Sequence, residues 1–499
     1  MTGGGGAEAQ CTELAMELKD LVSFFLIAIA IPAAVVVTCL SHRARDAAFV
    51  LMTFGCVITD KLDVNFATRF WYRGSTRGFE FSFIDILAIS VLVSSLLLPR
   101  PGRSRWYWPG SLGFLVLYLF YCCFSVSISD PKLFGLFELS KIVRSIIVFL
   151  AAAMFVRTER ELCLLVFALG CAVCLEGLMA LKHRYLYGMY RVPGTFDHPN
   201  SLSMYLCMIA PVLVAAINSD LPRYLKAFCY LSLGVATVVI LMTVSRAGIP
   251  VFGCVVLGAA AWCVSLRITF RKIVVAMTIC LLMTGLLYKS WDTLIARFTL
   301  SPIEAEYSAE NFESRGFYLR IANEILSDRF FGVGLNNWSW WVSAEYGPRL
   351  GIPYEGYPGM NEVPSKESLS RFVFAAPAHS LAALTVGELG WPGLIVFGLL
   401  WLRWFHMGLR FLGRRSSAAM HCFGVGFFFA ICGIFLQSVI EWVYRQTQIL
   451  FTFYILLGAL ASLCYARRQA RSMAPPTVME SDDVARFEEP IETTLADRR

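Results

Sequence analysis

The sequence predicts an all-α polytopic membrane protein with twelve or thirteen transmembrane helices and one long external loop containing a surface helix. Three observations carry this. The 499-residue chain is 57% hydrophobic and only 16% charged, whereas soluble domains average about 25% charged residues. Apolar runs of about 18 or more residues recur from position 21 to position 465, and each is long enough to cross a bilayer core as a helix. The Arg and Lys residues stand in short clusters between those runs, a pattern that orients membrane proteins. The net charge of +7 therefore points to no nucleic-acid partner.

The elements follow in order. Residues 1–20 are Gly-rich and then acidic, and lack the basic region and A-x-A site of a cleavable signal peptide. Candidate spans are 21–40, 47–60, 81–98, 110–128, 133–156, 161–181, 201–217, 225–244, 247–265, 272–288, 380–402, 419–440 and 447–465. The count falls to twelve if the short 47–60 run does not cross. In the thirteen-span arrangement one side collects Arg43/Arg45, Arg100/Arg103/Arg105, Arg157/Arg160, Arg267/Arg271/Lys272, Arg403/Arg410/Arg414/Arg415 and Arg467/Arg468/Arg471. That side is expected to be cytoplasmic. The segment 1–20, loop 182–200, the turn at Arg246 and the long loop 289–378 then share the external side. The organisation is an N-terminal group of helices over 21–288, the loop 289–378, C-terminal helices over 379–465 and a cytoplasmic tail, 466–499. The tail's Pro, Asp and Glu content predicts disorder. The 16 cysteines fall almost entirely inside apolar runs, which suits small buried hydrophobes and neither a disulfide framework nor a zinc site.

Within the long loop, residues 313–329 have helical periodicity, with Phe317, Ile321 and Ile325 on one stripe and Gly332 and Gly334 after it. Such a helix is expected to lie along the membrane surface. Segment 335–378 is rich in Trp and Tyr, which favour the membrane interface and also form platforms for sugar rings.

Residues able to act on an anionic substrate gather in and beside this loop. Arg246 stands between two apolar runs, where a charge is either functional or an interfacial side chain reaching for headgroups. Gly248 and Pro250 follow it, so irregular backbone there can line a cavity. Arg315 stands near the start of the loop helix, the end of the helix dipole that disfavours a cation. A planar guanidinium suits a pair of phosphate oxygens. Arg320 has Glu324 one turn on, so an ordinary ion pair explains it. His379 opens a membrane run beside the polar loop, the place for a general base or a phosphate-orienting donor. Glu388 is nine residues later, on the opposite face of a straight helix, so it is expected to meet another helix.

Further along the external side and in the bundle, the reading stays open. Glu138, Lys141 and Arg144 recur at spacings of three, as an internally neutralised polar face or a substrate groove. His198, in Phe196-Asp197-His198-Pro199-Asn200, is placed to touch substrate or to cap the helix that Pro199 and Asn200 begin. Arg73, Arg77, Glu80 and Asp85 flank a Gly-containing turn without an assignable role. There is no G-x-x-x-x-G-K-[ST], no dinucleotide fingerprint and no H-E-x-x-H. No cofactor and no metal are expected.

The ordered set of motifs resembles the O-antigen ligase and O-antigen polymerase-like membrane proteins. It comprises Phe196-x-His198-Pro199-Asn200 before a span and Ser245-Arg246-x-Gly248 at a turn. Arg315 with Phe331-Gly332-Val333-Gly334 follows in a long loop, and His379-Ser380 then leads to Gly390-x-x-Gly393. The small or aromatic residue usual three positions further on is Val396 here. The resemblance covers roughly 190–460 and implies a GT-C-like, metal-independent glycosyltransferase at the external face of the bacterial inner membrane. Such a protein moves a glycan from a polyprenyl-pyrophosphate carrier to a lipid or glycan acceptor, as a ligase or a polymerase. By motif, Arg246 and Arg315 would hold the pyrophosphate and His379 would serve the acceptor or leaving group. Arg320, Glu388, His198, Lys141 and Arg144 are the candidate substrate-binding residues. Two other classes fit part of the pattern: a lipid-glycan transporter or flippase, for which intramembrane charges are suited, and a structural membrane subunit.

Overall fold

The computed structural model describes residues 5–69, 71–263, 314–352, 375–413 and 416–473, with single positions between 264 and 313. Among them the helices are α1 (Gly5–Leu40), α2 (His42–Gly55), α3 (Thr59–Leu62), α4 (Phe83–Leu97), α5 (Leu112–Ile128), α6 (Lys132–Phe155) and α7 (Glu159–Leu181). They continue with α8 (Pro199–Asn218), α9 (Arg223–Met242), α10 (Gly248–Cys263), α11 (Arg315–Asp328), α12 (Leu381–Leu409), α13 (Ala419–Ser438) and α14 (Thr447–Met473). The only sheet among the described residues is an antiparallel pair, β1 (Val64–Phe66) with β2 (Phe79–Phe81), registered Asn65 to Glu80. The protein is an all-α polytopic membrane protein. Seven helices are long and apolar enough to cross a membrane, and α4, α5 and α10 are shorter apolar helices.

Local chemistry sets the helix starts. Ser82 with Asp85 and Thr158 with Glu161 form capping boxes for α4 and α7, each satisfying two free amides at once. His198 and Ser380 cap α8 and α12 from their side chains. Twelve of the thirteen expected spans correspond to helices. The remaining one, 272–288, and most of 289–313 lie outside the described residues, as do 353–374 with Tyr354 and Tyr357, and the tail after Met473. Helix α1 begins at Gly5, well before the apolar run at 21, and α14 passes the expected end at 465.

The short run 47–60 does connect the two ends of the bundle. Asp46 pairs with Arg100 and Arg160 at one end. At the other, the Val57 carbonyl accepts from Thr195 Oγ1 at 2.7 Å and Gln448 Nε2 at 2.8 Å. The helices alternate between these ends. The connections at 56–82, 129–131, 182–198, 243–247, 314–352 and 439–446 share the end that holds Val57. The connections at 98–111, 156–158, 410–413 and 416–418 share the other. Helix α8 is the centre, buried from Ser201 to Ile217 and packed against α9, α10 and α13, while α14 packs along α6. Of the described cysteines, those at 56, 122, 207, 229, 422 and 464 are buried and all are unbridged.

Helix α12 is broken where the motifs meet. Gly390 has φ 68° and ψ −173°, which removes the intrahelical partners of the preceding carbonyls. The chain supplies others, as backbone in hydrocarbon requires. Val333 N donates to Gly387 O at 3.0 Å and Gly334 N to Glu388 O at 2.8 Å. The Tyr121 hydroxyl donates to Leu389 O at 2.6 Å. Phe331-Gly332-Val333-Gly334 and Gly390 are therefore two halves of one joint. A Cβ on Gly390 would stand 2.2 Å from Phe330 O, and its left-handed φ already disfavours a side chain. Gly390→Ala is expected to cost at least about 2 kcal/mol, from backbone strain plus the clash, and to remove most folded protein in detergent by size-exclusion. Gly398→Ala, in the same helix with nothing within 4 Å of the added carbon, is the control that leaves the yield unchanged.

The loop helix α11 forms as the periodicity predicts. Its apolar stripe, Phe317, Tyr318, Ile321, Ala322 and Ile325, is buried in a cluster with Trp338, Val342, Tyr346, Ala383 and Leu384. The stripe thus packs on protein, so apolar periodicity on this helix carries no argument for a lipid contact. Trp338 and Tyr346 are core residues rather than open platforms.

Candidate functional site

The site is built on the turn 439–446 between α13 and α14, whose centre is Glu441. This carboxylate is 5% exposed and receives partners from three distant segments. Arg315, the first residue of α11, reaches Glu441 Oε1 at 3.2 Å through Nη2 and the Ile440 carbonyl at 2.9 Å through Nε. His379 Nδ1 stands 3.0 Å from Glu441 Oε2. Asn200 Nδ2 donates to Glu441 Oε1 at 2.7 Å. His198 Nδ1 accepts the Asn200 amide at 3.1 Å, which caps α8 and holds Asn200 in place.

The turn carrying Arg246 is tied to the same site. Arg191 donates from Nη2 to Asn200 Oδ1 at 2.8 Å and from Nε to Thr243 O at 3.1 Å. Val244 is held at φ 50°, a rare conformation for a β-branched residue that marks over-determined backbone. Ser245 Oγ accepts the Gly248 amide at 3.2 Å. A Cβ on Gly248 would lie 1.7 Å from Ser203 Oγ of α8. In Ser245-Arg246-x-Gly248, serine accepts the amide that opens α10, glycine lets the turn close on α8, and half-buried Arg246 is the residue carried by it.

An ionised carboxylate only accepts hydrogen bonds. Glu441 thus fixes the His379 proton on Nδ1, leaving Nε2 of the neutral imidazole as an acceptor. The His379 side chain is 39% exposed, against 5% for Glu441, so the imidazole is the accessible member and the carboxylate its support. Burial alone would raise the Glu441 carboxyl, but the hydrogen bond from His379 and the Arg315 guanidinium hold it below its ordinary value. Because the folded value is depressed, its contribution is complete above the unfolded value near about 4.3. The contribution is lost only as the pH falls through the lower folded value. The group stays ionised across the neutral range.

A second charged cluster lies beneath. Glu388 pairs with Arg445, four residues after Glu441. Lys141 Nζ contacts Glu138 at 2.8 Å and donates to Arg445 O at 2.9 Å. Arg144 holds Asp85 with two bonds, at 2.9 and 2.8 Å, and Glu80 at 3.4 Å. Lys141 and Arg144 thus have internal partners, and Glu388 meets the turn before α14 rather than His379. Arg320 is exposed on α11. Asn336, fully buried, accepts from Ser75 N at 2.8 Å and donates to Thr76 O and Phe134 O, both at 2.9 Å. It docks the loop after α11 onto the 71–76 turn. Among the described residues no group of three or more His, Cys, Asp or Glu is arranged to hold a metal ion.

Residues 231–398 match the family model described as O-antigen ligase. The matched segment, 168 of 499 residues, is about a third of the chain. No curated protein matches the chain. That match supports glycan transfer of the O-antigen ligase type in general. The matched segment contains Arg246, Arg315, His379 and Glu388, whereas Asn200, Glu441 and Arg445 join the site from outside it.

Glu441 and Arg445 were not singled out in the sequence. One signal was available: they are the only charged residues between Arg415 and Arg467, and charges in so apolar a stretch are functional candidates.

Proposed function

We propose that this protein transfers a glycan from a polyprenyl-pyrophosphate carrier to a lipid or glycan hydroxyl at the end of the bundle that holds Glu441. The observation that carries this is the Arg315–Glu441–His379 constellation, in which Arg315 and His379 come from the segment that matches O-antigen ligase and Glu441 from outside it. An acceptor hydroxyl attacks the anomeric carbon and a new C–O bond forms. The bond from that carbon to the pyrophosphate oxygen breaks, and its electron pair stays on the pyrophosphate. His379 Nε2 takes the hydroxyl proton, with Glu441 fixing the ring. Arg246 and Arg315 stabilise the charge that develops on the leaving group, chemistry that guanidinium groups perform without a metal ion. The one-sided placement of the arginine clusters supports a cytoplasmic position for the opposite end and a periplasmic site in the inner membrane. In this reading Glu138, Lys141, Arg144 and Glu388 belong to the scaffold, and His198 acts through Asn200.

The test uses protein reconstituted in liposomes without an ion gradient, given labelled polyprenyl-pyrophosphate glycan and acceptor. The expected result is a glycosylated acceptor and released lipid pyrophosphate. Movement of intact donor across the bilayer without cleavage would establish the transporter reading instead. Product size separates a ligase from a polymerase. Arg246→Ala and Arg315→Ala are expected to lower transfer by about 10²–10³-fold, the usual effect of losing one transition-state donor. Arg315→Lys is expected to rescue poorly, because one ammonium cannot reproduce the forked contact with Ile440 O and Glu441. Full activity in Arg315→Lys would remove the geometric part of this assignment.

A further inference from the structure

Glu176 is a buried carboxyl group that the transfer chemistry leaves unused. It stands near the end of α7 and is fully buried. Among the described residues it has no ion-pair partner, and its hydrogen bonds are with Thr195 of the turn 194–198. Glu176 Oε2 accepts the Thr195 amide at 3.0 Å, and Glu176 Oε1 is 2.5 Å from Thr195 Oγ1. Thr195 Oγ1 also lies 2.7 Å from Val57 O, which accepts Gln448 Nε2 at 2.8 Å. Gly194, at φ 66°, allows this approach, since a Cβ there would strike Glu176 Oε2.

The hydrogens around Thr195 do not balance if Glu176 is ionised. A hydroxyl has one hydrogen to donate, and a carbonyl or carboxylate oxygen has none. With a carboxylate at 176, the Thr195 hydrogen would serve Glu176 or Val57, and the other pair of oxygens would stand bare at hydrogen-bond distance. A proton on Glu176 Oε1 satisfies both contacts: it is donated to Thr195 Oγ1, and Thr195 donates to Val57 O. The surroundings agree, because burial without a cation favours the neutral acid. Of the helices packed on α7, α8 brings the titratable Tyr205 toward Glu176. Among the described residues α2 and α9 bring it no charged side chain.

The series Glu176–Thr195–Val57 fastens α7 and the end of α2 to the turn before His198 and Asn200, and Asn200 donates to Glu441. We propose that Glu176 is protonated at neutral pH and is a positioning residue for the Glu441 site, holding the turn 194–198 through Thr195 for as long as it keeps its proton. Loss of that proton to water leaves one of the two oxygen pairs without a hydrogen and releases the turn. Transfer therefore falls as the pH rises through the titration of Glu176. The positioning role rests on the transfer function proposed above, whereas the protonation and the release of the turn do not.

The test compares wild type, Glu176→Gln and Glu176→Ala, all full-length in detergent. Glutamine reproduces the neutral acid, because its amide donates to Thr195 Oγ1 while its carbonyl accepts the Thr195 amide. The infrared spectrum of wild type at neutral pH is expected to contain a carboxylic-acid carbonyl stretch that both variants lack and that disappears as the pH is raised. Hydrogen–deuterium exchange of the 193–200 amides is expected to match in wild type and Glu176→Gln at neutral pH. At alkaline pH it is expected to be faster in wild type than in Glu176→Gln at the same pH. Over that rise wild-type transfer is expected to fall about tenfold relative to Glu176→Gln, the scale of one hydrogen bond to a charged group. Glu176→Ala is expected to be impaired at every pH. Identical carboxyl spectra of wild type and Glu176→Gln at neutral pH, or equal exchange in the two at every pH, would overturn the proposal. Equal pH profiles of transfer in the two would remove the positioning role. A titrating band and a released turn with no transfer by any of the three proteins would overturn the transfer function and leave the protonated latch standing.

Discussion

Glu441→Gln is expected to lower glycan transfer by about 10²–10³-fold while leaving the protein folded in the membrane. General-base assistance contributes about 10²–10⁴-fold, and the isosteric amide keeps the volume of the side chain. The amide loses the charge that pairs with Arg315 at 3.2 Å and holds His379 at 3.0 Å. It also permits the imidazole to carry its proton on the wrong nitrogen, the type of fault that disables other carboxylate–histidine pairs. His379→Ala is expected to be comparably damaging, and the double variant His379→Ala/Glu441→Gln little worse than either single one. Residues that act as a unit are strongly non-additive. Steady-state transfer by the four proteins, with a size-exclusion profile for each, decides this. Independent, multiplying losses in the double variant would mean that the two side chains serve separate steps.

Arg445→Met is expected to destabilise the protein by about 3–5 kcal/mol, the scale for removing one partner of a buried ion pair. Glu388 is 2% exposed, and Arg445 is its ion-pair partner. Without Arg445 the Glu388 carboxylate would stay buried with its ion-pair partner gone. Glu388→Gln/Arg445→Met is expected to recover much of the loss, because no charge is then left uncompensated. Thermal unfolding of the two singles and the double gives the coupling directly. The consequence reaches the site: Arg445 closes the turn carrying Glu441, and Glu388 is on the helix that His379 precedes. A loss under about 1 kcal/mol in Arg445→Met would show that water or the bilayer interface already screens the pair.

The membrane class, the helix positions and the sidedness of the arginine clusters were legible in the sequence. Each rests on local properties, namely the length of an apolar run and the charge of the segment beside it. His379, Arg315 and Arg246 were legible as candidates for the same reason, since a charge or imidazole at a membrane entry is conspicuous wherever it folds. The periodicity of 313–329 also yielded its helix. That Phe317, Ile321 and Ile325 cover protein and not lipid was undecided, because an apolar stripe does not name its partner.

Tertiary structure alone decided the pairings. Glu441 becomes the centre of the site only because residues 198–200, 315 and 379 converge on the turn between α13 and α14. Gly390 and Phe331-Gly332-Val333-Gly334 show as separate motifs in the sequence. They are one joint because carbonyls freed by the helix break must find donors, and only the folded chain brings the Val333 and Gly334 amides to them. The same holds for Glu138, Lys141 and Arg144, which read alike as groove or as neutralised face. A charge shows its sign along the chain, but what compensates it is set by long-range contact, and in a medium without water that partner determines what the charge can do.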